Sequence, residues 1–163
     1  MTRDTPRFLV DEMLQRLGRW LRAAGYDTRI AQDAHPDYYL LRQAIAEGRL
    51  LITCDRKILE HRRAAKHVIL LECSSLEECV QALSRQLPIN WQYRPFTRCL
   101  VCNTPLHQAT PSQEREAPAS VHERQLPARY CPTCQQVFWT GSHVKRMQRQ
   151  LAHWQQSMSE QHA

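Results

Sequence analysis

Two Cys-x-x-Cys pairs, Cys99-Leu100-Val101-Cys102 and Cys131-Pro132-Thr133-Cys134, stand 28 residues apart in the chain. In each pair the two intervening residues bring both sulfurs to one side of the backbone, and two such turns supply the four thiolates of a tetrahedral Zn²⁺ site. Two disulfides are the competing use of the same residues, but frameworks of that kind belong to smaller chains in oxidising compartments. A closed four-thiolate site leaves no coordination position for water or substrate. Zinc there staples the fold, and chemistry has to come from other residues.

Asp11, Asp37 and Asp55 are the candidates. Asp11 and Asp55 close the short apolar runs Phe8-Leu9-Val10 and Leu50-Leu51-Ile52-Thr53, and in an open parallel sheet ligands gather at the carboxyl ends of strands. Side chains alternate along a strand, so Thr53 and Asp55 point one way and Cys54 the other. Asp37 opens a helix and joins them if that helix begins at the same sheet edge. Three converging carboxylates repel one another unless cations bind, and oxygen ligands suit Mg²⁺ or Mn²⁺. Such ions hold a phosphodiester, activate water and neutralise the leaving oxygen, which is a nuclease arrangement. Each acid also has an ordinary use: Asp37 as a helix cap, Asp11 at the positive end of a helix, Asp55 as the opening of a turn.

The elements that position these residues follow from periodicity. Residues 7–92 read as alternating strands and helices: Phe8–Val10, a helix with Met13, Leu14, Leu17, Trp20, Leu21 and Ala24 on one face, and Thr28–Ala31. A helix from Pro36-Asp37 to Gly48, the strand Leu50–Thr53, a basic helical stretch and the strand Val68–Leu71 come next. Ser75 with Glu78 forms a capping box for a helix reaching about Gln86. Continuous apolar strands alternating with helices predict a parallel α/β sheet covered on both faces. Pro88–Pro95 reads as a linker and Gln108–Ala128 as an exposed excursion between the cysteine pairs. A last helix carries the apolar stripe Val144, Met147, Leu151 and Trp154, with Lys145, Arg146 and Arg149 off it. Two domains are expected, 1–92 and 93–163.

Of the 22 basic side chains only Lys57, Lys66 and Lys145 are lysines, and arginine's planar fork suits phosphate. Residues 1–92 hold 14 basic and 12 acidic side chains while 93–163 hold 8 and 4, so the excess lies in the cysteine-rich half. Arg16, Arg19 and Arg22 recur at three-residue intervals away from the apolar stripe of the first helix. They either track a nucleic-acid backbone or form a solvated face. Lys145, Arg146 and Arg149 are the equivalent candidates in the last helix. The mixed charges of residues 1–7 do not make a signal peptide, and no apolar run is long enough for a bilayer. Cys54, Cys73 and Cys79 have no metal-type spacing, and three unpaired thiols suit a reducing compartment, so a cytoplasmic protein without membrane contact is expected.

Phe8-Leu9-Val10-Asp11, Trp20-Leu21-Arg22, Gly25-Tyr26-Asp27, Gly48-Arg49 and Thr53-Cys54-Asp55-Arg56, taken together, resemble the Mut-seven C-terminal RNase family, a branch of the PIN-like nucleases with a zinc ribbon appended. Arg98 to Asn103 with Leu106, and Cys131–Cys134 with Trp139, Gly141, Ser142 and His143, are similar to that family's ribbon. The resemblance spans residues 7–150. It implies a PIN-like α/β sheet flanked by helices, then a small zinc ribbon and a C-terminal helix, with metal-dependent cleavage of RNA. It gives metal-ligand roles to Asp11, Asp37 and Asp55 and an accessory role to the Thr53 hydroxyl; Arg22 and His143 match recurrent family positions open to phosphate contact, with a structural hydrogen bond at the helix start as the other reading of His143. Many PIN nucleases carry a fourth acid where this chain has Lys57, with Glu72 as the substitute in reach. RNA is the implied partner, and a protein inhibitor or a second copy are further partner candidates. A non-catalytic RNA-binding protein, or a zinc-ribbon module for protein interaction, are the competing functions.

Overall fold

A computed structural model describes residues 4–161. Within it the chain forms two compact units. The first runs to Leu21 and again from Tyr26 to Asn90, and the second takes Arg22–Gly25 and continues from Trp91.

In the first unit β1 (Phe8–Val10) leads through a 3-10 turn (Glu12–Leu14) into α1 (Gln15–Ala24), whose last residues count with the second unit. β2 (Thr28–Ile30), α2 (Asp37–Glu47) and β3 (Leu50–Thr53) follow. A 3-10 helix (Arg56–Glu60), α3 (Ala64–His67), β4 (Val68–Leu70) and α4 (Leu76–Gln86) complete the unit. The four strands are all parallel, in the order β2-β1-β3-β4. The chain leaves β1 toward one edge and β3 toward the other, so the strand order reverses between them, which is where open α/β sheets hold ligands.

Alternation divides the sheet's two faces. Leu9 and Leu51 pack with Leu40, Leu41 and Ala44 of α2 and with Ile58 and Ala64. Val10 and Ile30 lie on the opposite side against Gly18 of α1, where a Cβ would come within 2.7 Å of Ile30. β1 pairs with β3 so that Val10 stands opposite Ile52, and Asp11 and Thr53 therefore project on the α2 side. Gly48 ends α2 at φ 65°, with its N–H on the carbonyls of Ala44 and Ile45. That left-handed stop reverses the chain directly into β3.

The second unit contains β5 (His107–Gln108), α5 (Pro111–Glu114), α6 (Ala119–Glu123), β6 (Ala128–Cys131), β7 (Gln136–Trp139) and α7 (Ser142–Gln161). β5, β6 and β7 form an antiparallel sheet. Met147, Leu151, Trp154 and Met158 form the buried stripe of α7, and Trp154 meets Trp91 edge to face at 5.2 Å. Gly25 has φ 105°, and a Cβ there would stand 2.4 Å from the Arg94 carbonyl oxygen. Only glycine fits that close approach. Among the described residues no helix is long and apolar enough to cross a membrane.

Several expectations need correction. Met13, assigned to the apolar face of the first helix, is 89% exposed because the chain begins with a 3-10 turn there. Pro88–Pro95 is no loose linker: Ile89 and Trp91 are buried, and the Arg94 N–H donates to the Ala24 carbonyl. The excursion between the cysteine pairs carries the two short helices α5 and α6 and buries Ala109, Ala117 and Val121. Cys73 and Cys79 are joined by a disulfide, since the first turn of α4 folds back over Cys73 with 5.1 Å between the Cα atoms. The expectation of three unpaired thiols therefore fails, and with it the inference drawn from them about redox compartment. Ser75 does cap α4, accepting from the Glu78 N–H, but the Glu78 carboxylate accepts from Ser74.

Candidate functional site

The Asp11 N–H donates to the Ile52 carbonyl, extending the β1–β3 ladder by one residue and fixing where the Asp11 side chain begins. On the neighbouring strand the buried Thr53 hydroxyl donates to Asp11 Oδ2 at 3.1 Å and accepts the Asp55 N–H at 3.1 Å. Its proton and a lone pair are thus both committed. Thr53 thereby ties the Asp11 carboxylate to the Asp55 backbone.

Asp55 caps the 3-10 helix that follows, its Oδ1 accepting the Lys57 N–H at 2.9 Å. That hydrogen bond, together with the one to Asp37 and the Lys57 charge, holds the Asp55 carboxyl below its ordinary range against a smaller effect of burial. Asp37 is the first residue of α2, whose cap position is Pro36. Its carboxyl is pushed up to about 6, by burial first and then by its hydrogen bond to Asp55 and the charges of Asp55 and Asp11, with His61 acting in the opposite sense. Without a cation, and below about pH 6, the two carboxyls share a proton rather than bear two adjacent charges. Among the described residues, though, these acids are not gathered as closely as the cysteines.

A pH dependence follows. The folded chain binds the Asp37 proton more tightly than the unfolded chain does, so the stabilisation is complete below about pH 4 and is lost as pH rises to about 6. Asp37→Asn replaces the protonated carboxyl with an amide that donates at every pH. In zinc-loaded protein free of Mg²⁺ and Mn²⁺, the Tm of Asp37→Asn should match wild type near pH 4.5 and exceed it increasingly toward pH 7. A constant difference over that range would mean that the two acids share no proton.

Cys99, Cys102, Cys131 and Cys134 have all four sulfurs within 4.8 Å of one another and form a cluster that could hold a metal such as zinc. Cys99–Cys134 and Cys102–Cys131 stand at 3.8 and 3.4 Å. Sulfurs placed tetrahedrally at the usual Zn–S length lie about 3.8 Å apart, so the donor set and spacing fit that ion. Both knuckles turn alike. Asn103 and Gln135, each following the second cysteine, take positive φ of 74° and 55° and donate their N–H to the carbonyls of Cys99 and Cys131. Burial raises the Cys99 thiol, and neighbouring thiols raise Cys134; Thr104 draws Cys102 down to about 6 against the effect of burial. Four thiols this close cannot all ionise unless a cation neutralises them.

The arginine row does not hold as read. Arg16 and Arg19 are exposed, but Arg22 is 6% exposed and donates to the carbonyls of Leu100 and Val101 at 3.0 and 3.1 Å. Those carbonyls lie between Cys99 and Cys102, so Arg22 braces the first knuckle. Lys145, Arg146 and Arg149 are exposed on α7, away from its buried stripe, and His143 is exposed in its first turn. Glu72, the substitute fourth acid, is ion-paired to Arg56. His61 and Thr104 are absent from the sequence reading; for Thr104 the signal available was its position two residues beyond Cys102.

No curated protein and no solved structure matches the chain. The model of the Mut7-C RNAse domain matches residues 6–151, taking in the acids at the ends of β1 and β3 as well as all four clustered cysteines, and with so much of the 163-residue chain covered the protein belongs to the Mut7-C RNAse domain family.

Proposed function

We propose that the protein is an endoribonuclease dependent on Mg²⁺ or Mn²⁺, which refines the nuclease-type hydrolase activity to which its family points. What carries the reading is the meeting of Asp11, Thr53 and Asp55 at the carboxyl ends of β1 and β3, with Asp37 brought to Asp55 by the start of α2. Asp11, Asp37 and Asp55 would hold one divalent cation, since Glu72 is engaged by Arg56 and Lys57 occupies the remaining position. An ion held there supplies charge neutralisation at the scissile phosphate and activation of water for in-line attack. Thr53 keeps Asp11 and Asp55 in register for that task, and the turn at Lys57 fixes the orientation of the Asp55 carboxylate.

Cys99, Cys102, Cys131 and Cys134 would hold structural zinc. The ribbon and the exposed Lys145, Arg146 and Arg149 would contact the RNA backbone, as would Arg16 and Arg19 in the first unit. The test is incubation of the zinc-loaded protein with single-stranded and structured RNAs, with and without Mn²⁺. Cleavage that appears only with Mn²⁺ or Mg²⁺ is the expected outcome. Binding of RNA without cleavage in either ion would favour the non-catalytic RNA-binding reading, for which the missing fourth acid is the supporting feature.

A further inference from the structure

A groove of about 590 Å³ in the first unit lies between α2 and the segment joining the 3-10 helix to α3. It is floored by Leu41 and Ile45 and rimmed by Tyr38, Arg42, His61, Arg62 and Arg63. Its volume is that of an ordinary small-ligand site.

The rim gathers cations that are unpaired; Arg16, Arg19 and Arg85 elsewhere in the unit are likewise exposed without a carboxylate partner among the described residues, but none of those three lines this groove. Arg7, Arg29, Arg49 and Arg56 each pair with a carboxylate. Arg42, Arg62 and Arg63 have no such partner among the described residues, and all three are exposed. Tyr38 is 51% exposed, with its ring 6.5 Å from that of His61. Unpaired guanidinium groups beside an open aromatic face match a chain that alternates phosphates with unstacked bases. A duplex keeps its bases stacked and offers such a face nothing.

Asp37 precedes Tyr38 in the first turn of α2, next to the groove and outside its lining, and Tyr38, Arg42 and Ile45 follow one another along a single face of that helix. We infer that this groove binds single-stranded RNA, stacking one base on Tyr38 and holding phosphates on Arg42, Arg62 and Arg63, as the continuation of the strand bound at Asp11, Asp37 and Asp55. The inference deepens the nuclease reading by naming the substrate class as unpaired RNA.

The experiment measures binding of a fluorescent, unstructured RNA oligonucleotide and of the same sequence in a duplex to zinc-loaded full-length protein, in buffer without Mg²⁺ or Mn²⁺. Tyr38→Ala should weaken single-strand binding about 5- to 150-fold and Tyr38→Phe should restore it. Replacing Arg42, Arg62 and Arg63 by Ala should make the dependence of log Kd on log salt shallower by about 2, the share of three phosphates on a single strand. The duplex should bind more weakly than the strand. Unchanged affinity for Tyr38→Ala, an unchanged salt slope, equal duplex binding or no binding by wild type would each overturn the inference. Cleavage in Mn²⁺ on the same proteins separates the two claims. Cleavage with an unaltered KM in Tyr38→Ala removes the groove and leaves the nuclease. Groove-dependent binding without cleavage upholds the groove and removes the nuclease.

Discussion

Cys131→Ser should unfold the second unit and leave the parallel sheet of the first unit folded. Cys131 is fully buried at the end of β6, and its sulfur sits 3.4 Å from that of Cys102 and accepts the Cys134 N–H at 3.3 Å. The serine hydroxyl is a poor zinc ligand, and the sheet of only three strands beside it has little other core. A structural zinc site contributes apparent free energy of about 10 to 16 kcal/mol, comparable to the whole stability of a domain. Trp91, Trp139 and Trp154 all belong to the second unit and Trp20 to the first, so tryptophan emission reports chiefly on the former. Loss of zinc, a red shift in emission and fast amide exchange in β6 and α7 are expected, with β1 and β3 still protected. Bound metal and emission like those of wild type would refute the assignment of the cysteines.

How far the sequence discloses this molecule depends on the range of the interaction concerned. β1 and β3 are legible because each is a short continuous apolar run, and Gly48 marks its helix end because no other residue takes φ 65° so easily. The alternation that sends Thr53 and Asp55 to one side is equally local. Met13 misleads because a 3-10 turn precedes α1 and shifts the helical phase. Arg22 looks like the third member of a solvated row, yet its partners are carbonyls 78 and 79 residues away. No periodicity encodes that meeting. Trp91 is hidden for a similar reason: proline and polar neighbours suggest a linker, while its partners Trp154 and Gln155 lie in the last helix, more than 60 residues away. The groove beside α2 goes unread because Tyr38, Arg42 and Arg62 come from two segments that the packing of Leu41 and Ile58 brings together.

Asp55→Asn should abolish RNA cleavage while leaving the fold and the zinc content unchanged. Asparagine keeps an oxygen to accept the Lys57 N–H, so the cap of the 3-10 helix survives, whereas alanine would remove it. What asparagine removes is the charge, and with it the attraction for the divalent cation that the proposed mechanism places with Asp11 and Asp37. Disturbing a partner that merely orients a metal ligand costs about 10- to 100-fold, so loss of a ligand charge itself should exceed about 100-fold. Asp11→Asn should behave alike, since Thr53 can still donate to the amide oxygen.

Cleavage of a single-stranded RNA in Mn²⁺ by wild type and Asp55→Asn side by side, with RNA affinity measured on both, tests the central claim most directly. Cleavage by wild type, slowed more than about 100-fold in the variant with zinc content and RNA binding retained, is the predicted result. Equal cleavage by the two proteins, or by neither, would contradict the assignment of Asp11, Asp37 and Asp55 as the catalytic acids.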